Sequence, residues 1–171
     1  MDPKDELPGR WPEFDPGALL RRFVEAGVDF VVIGGIAVIL HGYPRITRDL
    51  DILFASDDGN LEALGRVLTA LGASLRHLDE DVPFIADTRT LDGVELLTLD
   101  TSAGWLDVHK TAPGAPPYER LRRNAERMDV GGFSVLVASI DDLIAMKRAA
   151  ARPLDLTDIE ALEAIKRLRK S

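Results

Sequence analysis

Asp49 and Asp51 are the first residues of this chain whose types and spacing could do chemistry together; they stand in Arg48-Asp49-Leu50-Asp51-Ile52-Leu53-Phe54. In a β-strand, residues two apart point to the same side, so both carboxylates come within reach of one cation. Without a cation the pair is costly: unit charges about 4 Å apart repel by roughly 1 kcal/mol in water and about 4 at an effective dielectric of 20. A solvated strand edge is the plainer reading, but the flanking Leu50, Ile52 and Phe54 place the segment in a core sheet. A third carboxylate, Asp107, follows in Gly104-Trp105-Leu106-Asp107-Val108-His109, where Leu106 and Val108 face one way and Trp105, Asp107 and His109 the other. A carboxylate inside an otherwise apolar strand needs a partner: a metal, an Arg or Lys, or water. Gly34-Gly35 is the remaining feature. Glycines between an apolar strand and a short apolar helix let the backbone pass close to a ligand, and free N–H groups at a helix start attract phosphate oxygens. A tight packing turn would use the same two residues.

Several cations and hydroxyls could serve an anionic ligand. Arg45 and Arg48 flank the acidic strand, and Thr47 precedes Asp49 by two residues, placed to meet a phosphate or to cap the strand. Lys147-Arg148 reads either as a solvated helix face or as a phosphate contact. His41 reads as a helix-end packing residue. His77 and His109 lack metal-type spacing with each other, so no zinc site is expected.

The elements that must position these residues follow from periodicity. Leu19, Leu20, Phe23 and Val24 fall at helical spacing from Pro16, with Gly27 at the C-terminal cap. Val28–Ile33 reads as a buried strand, Ile36–His41 as a short helix and Asp49–Ala55 as a strand. A helix from Asp57 to Leu71 follows. Strands are expected at Phe84–Thr88, Val94–Leu99, Trp105–His109 and Phe133–Val137, with Asp92-Gly93 as a hairpin turn. Glu119–Glu126 reads as an exposed helix of mixed sign. Ser139 opens a helix to about Ala151, Pro153 interrupts, and Leu156–Leu168 forms the last helix. The expectation is an α+β fold: a small mixed sheet of about five to seven strands flanked by helices, ending in a helical pair. Residues 1–15, with Pro3, Pro8 and Pro12, read as a loosely ordered lead-in to a single domain over 16–171.

Composition narrows the function classes. The 171 residues carry 21 Lys+Arg against 29 Asp+Glu, a net charge of −8. That argues against generic DNA binding or a polybasic membrane surface. Zero cysteines exclude disulfides, zinc thiolates and thiol catalysis. No segment has the pattern of a signal peptide or a membrane span, so a cytoplasmic location is expected.

Taken together, the diglycine turn, the D-x-D strand and the later Asp resemble the nucleotidyltransferase superfamily of the DNA polymerase β type. Within it, the chain is similar to the compact minimal nucleotidyltransferases and the related AbiEii-like toxins. The resemblance is carried by Val31-Val32-Ile33-Gly34-Gly35-Ile36-Ala37, His41 through Leu53, Leu106-Asp107-Val108, Ser139 through Ala149 and Arg152 through Asp158. It implies a nucleotidyltransferase fold in which Asp49, Asp51 and Asp107 hold Mg²⁺ (or Mn²⁺). It further implies a nucleoside triphosphate, ATP by default, with its phosphates at Gly34 and Gly35 and near Arg45, Thr47 and Lys147. An acceptor hydroxyl would attack the α-phosphorus and pyrophosphate would leave, with Asp107 as metal ligand or base. Asp158 matches a later acidic residue of the toxins. The implied acceptor is a partner protein, a tRNA end or a small molecule, and the implied context a toxin–antitoxin pair. The chain departs from the common Gly-Ser turn, so no serine hydroxyl is available beside Gly34. A catalytically silent binding module of the same fold, serving as antitoxin or scaffold, is the alternative; a phosphohydrolase on the same cluster is a third.

Overall fold

The computed structural model describes residues 13–77 and 84–171. Asp15 caps the first helix, α1 (Pro16–Glu25): its Oδ1 accepts the Ala18 N–H at 2.9 Å, and proline at the first helical position costs no hydrogen bond. Of the expected lead-in, residues 1–12 lie outside the described residues. Phe14 packs against the core and the Asp15 N–H donates to the Ala103 carbonyl.

Strand β1 (Phe30–Ile33) is buried throughout and runs directly into α2 (Gly34–Leu40). Strand β2 (Asp49–Phe54) returns antiparallel to β1, and α3 (Asp58–Ala70) follows, capped by the Asp57 carboxylate. A two-residue strand β3 (Ser74–Leu75), a short helix α4 (Thr88–Asp92) and the hairpin β4 (Leu96–Thr101)–β5 (Gly104–His109) form the middle of the chain. Helix α5 (Tyr118–Asn124), the hairpin β6 (Glu126–Asp129)–β7 (Ser134–Val137) and helices α6 (Ile140–Ala150) and α7 (Pro153–Arg169) complete it.

The strands make one seven-stranded mixed sheet, ordered β3-β4-β5-β2-β1-β7-β6. The central pairing is β2 with β5, parallel and in register: Leu50 opposes Leu106, Asp51 opposes Asp107 and Ile52 opposes Val108. Side-chain alternation therefore puts apolar against apolar in the core and carboxylate against carboxylate on the other face. Leu50, Ile52, Leu106 and Val108 are at most 1% exposed, within a core that also takes Leu19, Phe23, Leu64 and Leu68 from α1 and α3. The expected α+β class, mixed sheet and C-terminal helical pair are all present.

Four local expectations fail. Phe84–Thr88 is not a strand: Asp87 accepts the Thr90 N–H at 2.8 Å and opens α4. The preceding Ala86 carbonyl lies against Gly65 of α3, so close that a β-carbon there would collide with it. Asp92-Gly93 consequently ends a helix and does not turn a hairpin; the hairpin turn is at Ser102-Ala103. Glu126–Asp129, placed at the end of a helix and beyond it, is strand β6. It is held by a turn in which the Asp129 carboxylate accepts the N–H groups of Gly131 and Gly132. Finally, Pro153 starts α7 at its first helical position, where its ring fits.

Candidate active site

Asp49 and Asp51 project from β2 and Asp107 from β5 onto one face of the sheet, the arrangement that the alternation of β2 requires once β5 pairs with it in parallel. The bend between β1 and α2 closes over them. Gly34 adopts φ +68°, and a β-carbon there would lie 2.6 Å from Asp51 Oδ2. A β-carbon at Gly35 would lie 2.7 Å from Arg45 Nη2 and 2.9 Å from Thr47 Oγ1. The two glycines are thus a packing turn, and what they pack against is the acidic strand and the loop before it. Gly34, Gly35, Arg45, Thr47, Asp49, Asp51, Asp107 and Lys147 all line one cleft of about 430 Å³. A smaller cleft of about 140 Å³, walled by Ile33, Ala112, Pro113, Leu143, Met146 and Ala150, meets it at Gly34, Asp51, Lys147 and Arg152.

Like charges crowd this face and their acidities respond. Burial first, and then the Asp51 charge, push the Asp107 carboxyl up to about 6, against the pull of Arg76. The Asp49 carboxyl is raised by burial and by Asp51, opposed by Arg76 and by hydrogen bonding from Thr47 and Asp107. Thr47 Oγ1 stands 3.4 Å from Asp49 Oδ1, so it orients the first carboxylate.

Sequence reasoning missed two neighbours. Arg76, just after β3, donates from Nη2 to Asp107 Oδ1 at 2.8 Å while its guanidinium stacks 4.8 Å from the Trp105 ring centroid. It is the partner that a carboxylate in an apolar strand needs. His109 Nε2 lies 2.9 Å from Asp51 Oδ1, and ligand atoms of Asp51, Asp107 and His109 all fall within 4.8 Å of one another. A search for His–His spacing could not find this set, because its other members are carboxylates. Strand alternation already put Asp107 and His109 on one face; what spacing could not supply is the pairing of β5 with β2 that brings Asp51 to them.

The cations on the opposite wall are tied together. Lys147 is not on a solvated helix face: it is 6% exposed, with Nζ at 3.0 Å from Asp158 Oδ2 and 3.4 Å from Asp155 Oδ1. Arg45 pairs with Asp158 through both Nε and Nη2 at 3.0 Å, and also donates to the Ile46 carbonyl. Arg152 donates its backbone N–H and side chain to Asp155, whose carboxylate also closes the N-terminus of α7. Burial works to raise the Asp155 carboxyl, but these hydrogen bonds and Lys147 hold it below its ordinary value. Three cations against two carboxylates leave one net positive charge facing the acidic strand. Arg48 is exposed at the cleft rim. His41 is a packing residue, as expected: buried at the end of α2, its Nε2 meets the Ala138 carbonyl at 2.8 Å and its Nδ1 meets Arg169 at 3.2 Å.

Carboxylates facing a glycine bend on a mixed sheet of this order are the layout that the resemblance to nucleotidyltransferases implies. The chain belongs to the AbiEii family, described as a nucleotidyl transferase toxin of type IV toxin–antitoxin systems, which residues 18–164 match. Its fold is shared with the lincosamide antibiotic adenylyltransferase LnuA, solved with lincomycin bound: 18% identity, 88% of this chain and 95% of that one covered, TM-score 0.60. It is shared too with ANT(2'')-Ia in complex with adenylyl-2''-tobramycin (16% identity, 91% and 92% covered, TM-score 0.55). A third structure of the same fold is an antigenic nucleotidyltransferase-like protein from Paracoccidioides brasiliensis (18%, 88% and 73%, TM-score 0.52). No curated protein sequence matches this one significantly. Among the described residues, no helix is long and apolar enough to cross a membrane.

Proposed function

We propose that this nucleotidyltransferase moves a nucleoside monophosphate, AMP by default, from a nucleoside triphosphate to an acceptor hydroxyl and releases pyrophosphate. The observation that carries the reading is the pairing of Asp51 with Asp107 in parallel register, with Asp49 on the same face and Gly34 against Asp51. Three carboxylates share this face, and Arg76 neutralises only part of their repulsion, which favours a further cation there. Their oxygen-rich donor set fits Mg²⁺ or Mn²⁺, which would be held by Asp49, Asp51 and Asp107 and would neutralise charge on the reacting phosphate.

The chain's own residues supply the rest. Gly34 and Gly35 let the acidic strand, Arg45 and Thr47 close against the bend, which shapes the cleft that a triphosphate would enter. Arg45, Lys147 and Arg152 hold the net positive charge of the opposite wall, and Thr47 fixes Asp49. Asp107, on the same cleft, takes the proton of the acceptor hydroxyl. The acceptor oxygen then bonds to the α-phosphorus, the α–β P–O bond breaks, and pyrophosphate carries off the electron pair.

ATP is the donor by default, and the acceptor is a partner protein, a tRNA end or a small molecule. The family description supports a toxin–antitoxin role. We further read residues 16–171 as one catalytic domain acting in the cytoplasm. Incubation with α-labelled triphosphates, Mg²⁺ and cell lysate tests this. The expected result is transfer of label with pyrophosphate release, lost in Asp49→Ala/Asp51→Ala. Equal behaviour of the variant and the wild type, or release of inorganic phosphate alone, would overturn it. Tight capture of a protein partner with no label transfer at all would favour the silent module.

A further inference from the structure

We propose that His109 is a nitrogen ligand of the metal centre and makes that centre prefer Mn²⁺ over Mg²⁺. The proposal rests on the reading that a divalent cation sits on the carboxylate face. Strand β5 sends Asp107 and His109 to the same side, and register places Asp51 opposite Asp107 and Leu53 opposite His109. Leu53 is apolar and buried, so the ring reaches diagonally across the strand pair to Asp51. Its Nε2 stops 2.9 Å from Asp51 Oδ1, with the two side chains only 14% and 19% exposed.

That separation has the size of one edge of a metal site. Hard divalent ions take octahedral ligands at about 2.0–2.1 Å, so neighbouring ligand atoms lie about 3 Å apart. The third ligand atom, on Asp107, lies within 4.8 Å of both others, so small side-chain movements bring all three onto one ion. His109 lines the smaller cleft and Asp49 the larger, with Asp51 in both. The imidazole therefore closes the carboxylate cluster on the side away from Asp49. Carboxylates alone suit Mg²⁺ and Mn²⁺ alike, whereas an imidazole nitrogen adds affinity for the transition ion and little for Mg²⁺, a hard oxygen-seeking cation. Arg76 already occupies one oxygen of Asp107, and His109 brings a nitrogen donor into the set formed with Asp51 and Asp107.

Pulsed electron paramagnetic resonance of Mn²⁺ bound to the full chain tests this without reference to turnover. The expected wild-type spectrum shows coupling to a directly bound ¹⁴N nucleus. In His109→Gln, which can still hydrogen-bond Asp51, Mn²⁺ remains bound but the coupling disappears. The ratio of Mn²⁺ to Mg²⁺ affinity by calorimetry falls about tenfold or more. Mn²⁺ binding that is lost in Asp51→Asn yet shows no nitrogen coupling in the wild type would overturn the role of His109 and leave the metal centre standing. Mn²⁺ binding that is absent, or equal in wild type and Asp51→Asn, would overturn the metal centre itself. A melting curve for each variant confirms that it is folded.

Discussion

Asp51 Oδ2 lies 2.6 Å from the point where residue 34 would carry a β-carbon, so glycine at that position is a condition for the acidic strand to sit where it does. The backbone there is also left-handed, at φ +68°. Both facts bear on one substitution. Gly34→Ala is expected to cost about 1–3 kcal/mol of stability through strained backbone. It should also push Asp51 off its position, and a displacement near 1 Å at a reacting centre costs roughly 10²-fold in rate. Denaturant unfolding and the label-transfer assay measure the two effects separately.

Asp107 gives a pH prediction with a definite sign. Its folded value, about 6, lies above the ordinary 3.8. Between those values the folded protein holds more protons than the unfolded chain, so stability falls as pH rises through this window. At pH 7 the ionised carboxyl works against folding by at most about 3 kcal/mol, with the attraction of Arg76 already contained in that balance. Asp107→Asn is therefore expected to raise the metal-free melting temperature at pH 7 and to change it little at pH 4. Added Mg²⁺ should stabilise the wild type more at pH 7.5 than at pH 5.5, and the Asn variant much less at either.

Arg76 tunes the same group from the other side. It lowers the pKa of both Asp107 and Asp49, so removing it lets Asp107 climb above about 6. Arg76→Met should shift the acid limb of the pH–kcat/KM profile upward and weaken transfer at pH 6 more than at pH 8. A ¹³C-carboxyl titration of Asp107 by NMR reads the shift directly; an unmoved midpoint would show that the guanidinium contact is electrostatically idle.

Lys147 and Arg148 are neighbours in sequence with opposite expected costs. Lys147 meets Asp155 and Asp158, both fully buried, and its loss removes charge-assisted bonds while Arg152 and Arg45 still face the two carboxylates, a cost of about 1.5–3 kcal/mol. Lys147→Met should show a loss of that size in urea unfolding, larger in Lys147→Met/Arg45→Met, where Asp158 loses its second cation as well. Arg148 pairs with Glu163 at the surface, and Arg148→Ala should cost less than about 1 kcal/mol.

Strand and helix periodicity made most of this protein legible. Asp49-Leu50-Asp51 read as a strand with a carboxylate face because alternation needs no tertiary information, and Pro16 and Gly27 marked element ends by their own backbone preferences. The failures share a cause. Phe84–Thr88 has the composition of a strand, but the short side chain of Asp87 captures a backbone N–H, and Gly65 in α3 offers that segment a surface to pack on. Neither the Asp87 cap nor the distant glycine shows in strand periodicity.

The residue string by itself determined the fold class and the strand faces that carry the three carboxylates, because these follow from periodicity along single elements; the family came from the resemblance of its motifs. Only the folded chain decided who stands beside them. Parallel pairing of β2 with β5 joins Asp51 to Asp107 and His109 across nearly sixty residues, and the close of β3 brings Arg76 to Asp107. Burial of Asp155 and Asp158 under α6 turned Lys147 from a surface charge into an interior one. Contacts of that kind depend on which strands and helices become neighbours. That choice is made by the summed packing of the core and leaves no periodic mark in the sequence.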